Sequence, residues 1–484
     1  MKPYQIAVFI MVTMAVVVLL AFVYPKEGID VGGVTLKFAD AEEVLAPDEE
    51  PAYDASGDAD KIRRYIAAQQ MNEDMKRRYA VLNRPGAIAF PGDMPEWMDG
   101  VFAALDNARR EPVRILHYGD SQIEEDRITG RMRTDIQELF GGYGAGMVPA
   151  YQSVPTSAVG QKCDVELPRS LVYGTPEQKH PQRNYGPSGQ MATLDGTATT
   201  SFYRINLKST GDNTKMFSLL TVMLANDSTD VEISVNADGY SDRKTVPAGG
   251  GMKFVSFRLP DSNVRAAVTI SGAAELYGYM LDSKEGGVAV DNIPMRGCSG
   301  TVFTSMGRST LEPFFASYRV PLIILQYGGN SVPYLKKGEA VGGYCASLRR
   351  QIAYLRSVAP QSRILFIGPS DMTTKAGGKL ATYPVLPELN DSLRTMCLSS
   401  DVAYWDMFRA MGGEGAMQRW VESDPPLAGA DYVHFTPLGS QKIGDMLFDA
   451  IKSAYDYYLY RQENGSDYVP PAPDTADSIP ESIM

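Results

Sequence analysis

Histidine is scarce in this chain, and cysteine hardly less so: three and four residues among 484. The cysteines (Cys163, Cys298, Cys345, Cys397) are scattered and form no CxxC pair, which argues against a zinc cluster. Their spacing does not decide between disulfides and buried thiols. No block of lysine and arginine is long enough to track a phosphate backbone, and the net charge is −12. Nucleic acid is therefore excluded as an expected partner. The small number of histidines also has a use: any imidazole base must be His117, His180 or His434.

What is present is an ordinary globular composition, 44% hydrophobic, in a chain with room for about two to four domains. Residues 6–23 form an uncharged apolar run. As a helix it would reach roughly 27 Å, enough for a bilayer core. No clear small-x-small cleavage site follows, so residues 1–24 are expected to be an uncleaved signal anchor, with everything beyond on the periplasmic or extracytoplasmic side of an inner membrane. Residues 25–95 read as a stalk, acidic and proline-bearing at 40–60, with a charged helical pattern at 61–82.

Residues 96–150 begin an α/β domain. Residues 113–117 (VRILH) are strand-like, Gly119-Asp120-Ser121 makes the turn, and Ile128, Met132, Ile136, Leu139 and Phe140 recur at helical spacing. Glu124, Glu125 and Asp126 are expected in the first helical turn, complementing the dipole. Residues 151–285 change texture, with short β-branched and aromatic runs between turn residues and no helical period. That is the pattern of an antiparallel sandwich or jelly roll. The α/β texture returns over 286–462, where 320–327 (VPLIILQY) is a buried parallel strand and 438–460 an amphipathic helix. Residues 463–484 read as a disordered tail.

Each polar fragment after the first turn also lies at a strand end or helix edge: Ser299-Gly300, Gly328-Gly329-Asn330 and Asp431-x-x-His434. A serine at the carboxyl end of a strand can attack if an imidazole takes its proton, and an aspartate can fix that imidazole's tautomer. His117, on the strand itself, and His180, in a polar loop, are placed less well for this than His434.

These four fragments, in this order, resemble the SGNH (GDSL-like) hydrolases over about 96–150 and 286–460. The resemblance implies a flavodoxin-like three-layer α/β/α SGNH domain with a parallel sheet, interrupted by an inserted all-β sandwich. It makes Ser121 the nucleophile, His434 the base and Asp431 its orienter. The oxyanion site would be the backbone N–H of Ser121, the N–H of Gly300 and the amide of Asn330. Gly300 is taken in preference to Gly297, because Ser-Gly matches the family pattern better. Gln122 departs from that pattern, which has an apolar residue after the serine.

An exported SGNH domain with a β insertion resembles the peptidoglycan O-acetylesterases, whose insertion is similar to a carbohydrate-binding module. The implied reaction removes O-acetyl groups from an envelope glycan through an acetyl-enzyme, with no metal or organic cofactor. The alternatives are a lipase, arylesterase or acyltransferase with the same triad, or a glycan-binding protein with a degenerate hydrolase domain.

Overall fold

A computed structural model describes residues 3–25, 27–31, 34–36, 73–205, 216–335, 338–376 and 378–465. The expectations for the acidic stretch 40–60, for residues 61–72 of the charged helix and for the tail beyond 465 lie outside the described residues. The chain divides into two units, Met1–Met71 and Asn72–Met484.

In the first unit a helix spans Pro3–Val23, followed by the hairpin of β1 (Ile29–Val31) and β2 (Val34–Leu36). Phe9, Met11, Leu19 and Phe22 on the helix are exposed. Among the described residues no helix is long and apolar enough to cross a membrane. The signal anchor expected here is matched as far as a helix over Pro3–Val23.

The second unit opens with a helix at Glu73–Asn83, within the stretch read as stalk. That reading is corrected from residue 73 onward. Asp74 and Arg78 are buried: Asp74 accepts from the Tyr457 hydroxyl at 3.0 Å, and Arg78 donates to Glu96 at 2.6 Å. The charges that suggest a solvated segment are paired inside the fold, and hydropathy cannot show pairing. The chain continues through β3 (Ile88–Ala89), a helix at Asp99–Asp106, β4 (Val113–Gly119) and a helix at Thr129–Phe140.

An antiparallel β region follows: β5 (Gly146–Val148), β6 (Gly160–Cys163), β7 (Arg169–Leu171), β8 (Gln190–Tyr203), β9 (Phe217–Asn226), β10 (Val231–Ala237), β11 (Tyr240–Val246), β12 (Gly249–Asn263) and β13 (Arg265–Asp282). Residues 267–270 and 275–281 read from the sequence as two separate strands, where β13 runs unbroken. Residues 265–276 of β13 pair with β8, and 266–271 also with β10; residues 275–282 pair with β9, and 279–281 with β5. A bulge at Gly278 lets the strand turn between the two sets. Its φ is +131°, and a Cβ there would lie 2.5 Å from the Val148 carbonyl oxygen. The two sets enclose their own core of residues such as Leu220, Val222, Ile233, Val268 and Leu281.

The chain then returns through β14 (Val288–Pro294), β15 (Arg319–Gln326), a helix at Glu339–Val358, β16 (Arg363–Ile367), the hairpin of β17 (Thr373–Ala376) and β18 (Lys379–Thr382), a helix at Leu386–Ser399, β19 (Ala403–Trp405) and a closing helix at Pro437–Asn464. The central sheet has the order β14-β4-β15-β16-β19-β3. Its first five strands are parallel, as expected. The edge strand β3 is antiparallel to β19, so the sheet is mixed and not purely parallel. Alternate side chains enter two cores. Leu116, Tyr118, Ile323 and Phe366 pack with the helices at 339–358 and 386–399. Ile115, Leu322, Ile324 and Leu365 pack with those at 99–106, 129–140 and 437–464. This is a three-layer α/β/α arrangement.

Buried charges join the β region to the sheet. Arg114 on β4 donates to Asp291 on β14 at 2.7 and 2.9 Å, and to Asp282 at the end of β13 at 2.7 Å. The N–H of Met147 on β5 donates to the same Asp291 at 2.7 Å.

Candidate active site

β4 is buried along its whole length and delivers Gly119-Asp120-Ser121 at its carboxyl end. A long helix does not begin there. A six-residue 3-10 segment, Ser121–Asp126, intervenes. It is kinked, with positive φ at Glu125 (61°) and Asp126 (65°), and the next helix starts at Thr129. The acidic trio is therefore not the first turn of that helix. Glu124 pairs with Arg296, Glu125 with Arg127, and Asp126 with the fully buried Arg133 at 2.6 Å. Sequence periodicity missed this, because the helical period only begins beyond the segment.

Ser121 and His434, 313 residues apart, are in contact: Ser121 Oγ lies 2.9 Å from His434 Nε2. His434 Nδ1 lies 2.7 Å from Asp431 Oδ2, and Asp431 Oδ1 accepts from the N–H groups of Val433 and His434 at 3.0 Å each. With the carboxylate on Nδ1, the imidazole carries its proton there and turns a free lone pair to the serine. Burial pushes the Asp431 carboxyl up, but the hydrogen bonds from the His434 ring and the two backbone N–H groups outweigh it, leaving the group below its ordinary value. Tyr432 takes φ = 59°, the left-handed step that folds Asp431 back beneath its histidine. The imidazole and carboxylate side chains are 40% and 52% exposed, so water reaches the site.

Asn330 comes within reach through Asp120. Its Nδ2 donates to Asp120 Oδ2 at 3.0 Å and to the Cys298 carbonyl at 3.2 Å. Asp120 is buried, and burial pushes its carboxyl up to about 6 against the hydrogen bonds of Gln122 and Asn330. The N–H of Gly300 points to Cys298 Sγ at 3.3 Å, a weak acceptor. In the free site, two of the three expected oxyanion donors thus have internal partners that an oxyanion would displace. Gly300 has φ = +79°, and a Cβ there would lie 2.8 Å from the Tyr327 ring, whereas Gly297 has open space around it. The close approach belongs to Gly300.

The other two histidines lie elsewhere. His117 is fully buried, with Nδ1 2.9 Å from Thr129 Oγ1 and Nε2 3.2 Å from Gln326. Burial lowers its pKa to about 3, so it stays neutral inside the sheet. His180 pairs with Glu275 at 3.2 Å in the β region. The four cysteines are free thiols, and among the described residues no group of acidic, histidine or cysteine side chains could hold a metal.

Two contributors were not legible beforehand. Asp120 anchors Asn330, and Gln122 Nε2 donates to the Val433 carbonyl at 2.7 Å. The only sequence signal for Gln122 was that a polar residue stood where the resemblance wanted an apolar one.

Residues 268–442 match the GDSL-like lipase/acylhydrolase family. The match includes Gly300, Asn330, Asp431 and His434 but not Ser121, which lies upstream of the β region. A solved structure of a peptidoglycan O-acetylesterase superposes with a TM-score of 0.59 at 19% identity, covering 75% of this chain and 96% of that one; this is a likeness of fold. A family two carbohydrate esterase from Cellvibrio japonicus covers 62% of this chain and 98% of its own at 10% identity, but its TM-score is only 0.25. No curated protein matches the chain.

Proposed function

We propose that this SGNH-type serine esterase removes O-acetyl groups from a cell-envelope glycan such as peptidoglycan. The observation that carries the reading is the unbroken chain Asp431–His434–Ser121, with contacts of 2.7 and 2.9 Å, on a fold like that of a peptidoglycan O-acetylesterase.

In the proposed cycle His434 Nε2 takes the Ser121 proton as Oγ attacks the acetyl carbonyl. The N–H groups of Ser121 and Gly300 and the amide of Asn330 receive the negative charge on the carbonyl oxygen. The C–O bond to the sugar breaks, and the sugar oxygen leaves with the proton held on His434. The acetyl group stays on Ser121 until a water, deprotonated by His434, attacks it and releases acetate. The solvent exposure of Asp431 and His434 supports water as the acceptor rather than a second alcohol, which would need a site that excludes water.

The same reading anchors the chain in an inner membrane through residues 6–23, with the catalytic unit on the extracytoplasmic side. The support is the uncharged apolar run itself.

Acetate release from O-acetylated peptidoglycan, and hydrolysis of a chromogenic acetyl ester, test the activity. The wild type should perform both and Ser121→Ala neither. Equal rates for the two proteins would end the hydrolase reading, and wild-type hydrolysis of the small ester with no acetate from the polymer would end the glycan assignment. Alkaline carbonate washing of membranes should leave the full chain in the pellet; its release would remove the anchor.

A further inference from the structure

A cavity of about 230 Å³ lies between the β region and the three-layer domain, walled by both. We infer that it binds a carboxylate-bearing sugar of the same glycan chain whose acetyl group reaches Ser121; this rests on the glycan reading above.

The cavity is continuous in sequence with the active site on two sides. One wall is Glu124–Asp126, the end of the 3-10 segment that begins at Ser121, and another ends at Arg296, two residues before the Cys298 carbonyl that receives Asn330. Two consecutive non-glycine residues with positive φ, Glu125 and Asp126, shape that first wall. Such backbone is strained and persists only where the surroundings hold it. Here the buried Arg133 pair holds Asp126, and Ser157, between the lining residues Thr156 and Ala158, donates to the Glu125 carbonyl from N–H (3.1 Å) and Oγ (2.9 Å).

The lining has the chemistry of a sugar site. Tyr151 and Tyr173 bring aromatic rings, against which the C–H face of a pyranose can pack. The charges are more specific. Of the three arginines in the cavity wall, Arg133 is paired with Asp126 and Arg296 with Glu124. Arg169 has no carboxylate partner among the described residues. It donates to Ser153 Oγ at 2.9 Å and stands 5.7 Å from the centroid of the Tyr151 ring. It is half-buried, with guanidinium donors left over, and a planar carboxylate is the ligand group those donors fit best. A neutral sugar would leave this cation uncompensated.

The test is binding without catalysis. Soluble de-O-acetylated peptidoglycan fragments, with carboxylates free or amidated, are titrated into the full chain carrying Ser121→Ala, alone or with Arg169→Gln, by calorimetry. The free-acid fragment should bind the single variant and lose about tenfold in affinity with Arg169→Gln, the scale of one charge-assisted contact. Arg169→Lys should recover part of the loss, and amidation should weaken binding only while Arg169 is present. An unchanged melting temperature shows that Arg169→Gln folds; if it does not fold, the acid-against-amide comparison in the single variant decides. Equal affinity for acid and amide, no loss with a folded Arg169→Gln, or no measurable binding by the single variant would each overturn the subsite. None of these results touches acetate release, so the esterase reading stands or falls separately.

Discussion

The side-chain amide of Gln122 donates a 2.7 Å hydrogen bond to the carbonyl of Val433, fastening the turn that carries Ser121 to the loop that carries His434. Serine and histidine stand 313 positions apart in the chain, and this bond ties the side chain next to one to the backbone next to the other. Gln122→Leu restores the family's apolar side chain but removes the tie. Its kcat on an acetyl ester should fall about tenfold, equivalent to ~1.4 kcal/mol of lost alignment, with a stability loss of about 1 kcal/mol. An unchanged kcat would make the bond merely structural.

Gly297 and Gly300 are both left-handed, with φ of 74° and 79°, but only one is crowded. Gly297→Ala should cost about 1 kcal/mol, the strain of the backbone alone. Gly300→Ala adds the collision with Tyr327 and should cost about 2 kcal/mol more, with a larger loss of activity. Denaturant titration of both variants checks this, and equal losses would contradict it.

Asp120 and His117 should give stability opposite slopes in the same acid range. Burial raises the Asp120 carboxyl to about 6, so the folded chain keeps a proton that the unfolded chain releases near 3.8. Its contribution is full below that lower value and disappears as pH rises through about 6. Burial lowers His117 to about 3 from 6.5, so its contribution is full above 6.5 and is lost as pH falls toward 3. The stability difference between wild type and Asp120→Asn should therefore move against wild type from pH 4 to 6, and that between wild type and His117→Gln in its favour. Flat differences would refute the assignment.

The Arg114–Asp282 bond ties β4 to the last residue of β13. Asp282→Ala leaves a buried guanidinium short of one partner, and a broken buried pair costs roughly 3–5 kcal/mol. The retained Asp291 bonds place the expected loss near the lower figure. Melting should stay a single transition, because Tyr277 and Met280 of β13 pack into the same core as Leu116 and Ile323. Two separated transitions would show that the β region folds independently.

Much of this architecture was legible because the forces behind it are local in sequence. The strand-like residues 113–117 and the apolar run 320–327 become β4 and β15, buried between helices on both faces, and 363–367 (RILFI), another short apolar run, becomes β16. The failures share a cause. β11 is polar and largely exposed, so no hydrophobic period marks it. β5 is three residues long inside a glycine-rich stretch. The helix at Glu73–Asn83 buries charges whose partners lie elsewhere in the chain, Tyr457 for Asp74 and Glu96 for Arg78.

At the site, the sequence by itself determined which residue types were available and in what order: a serine after the first strand, an asparagine after a glycine pair, and one histidine with an aspartate three residues before it. Because histidine is so scarce, it also left few choices of base. Tertiary structure decided which histidine meets Ser121, which glycine is crowded, and what Gln122, Asp120 and Arg169 face. Periodicity and propensity report a residue's neighbours along the chain. A hydrogen bond between residues 313 positions apart depends on how the sheet brings strand ends together, and no short stretch encodes that.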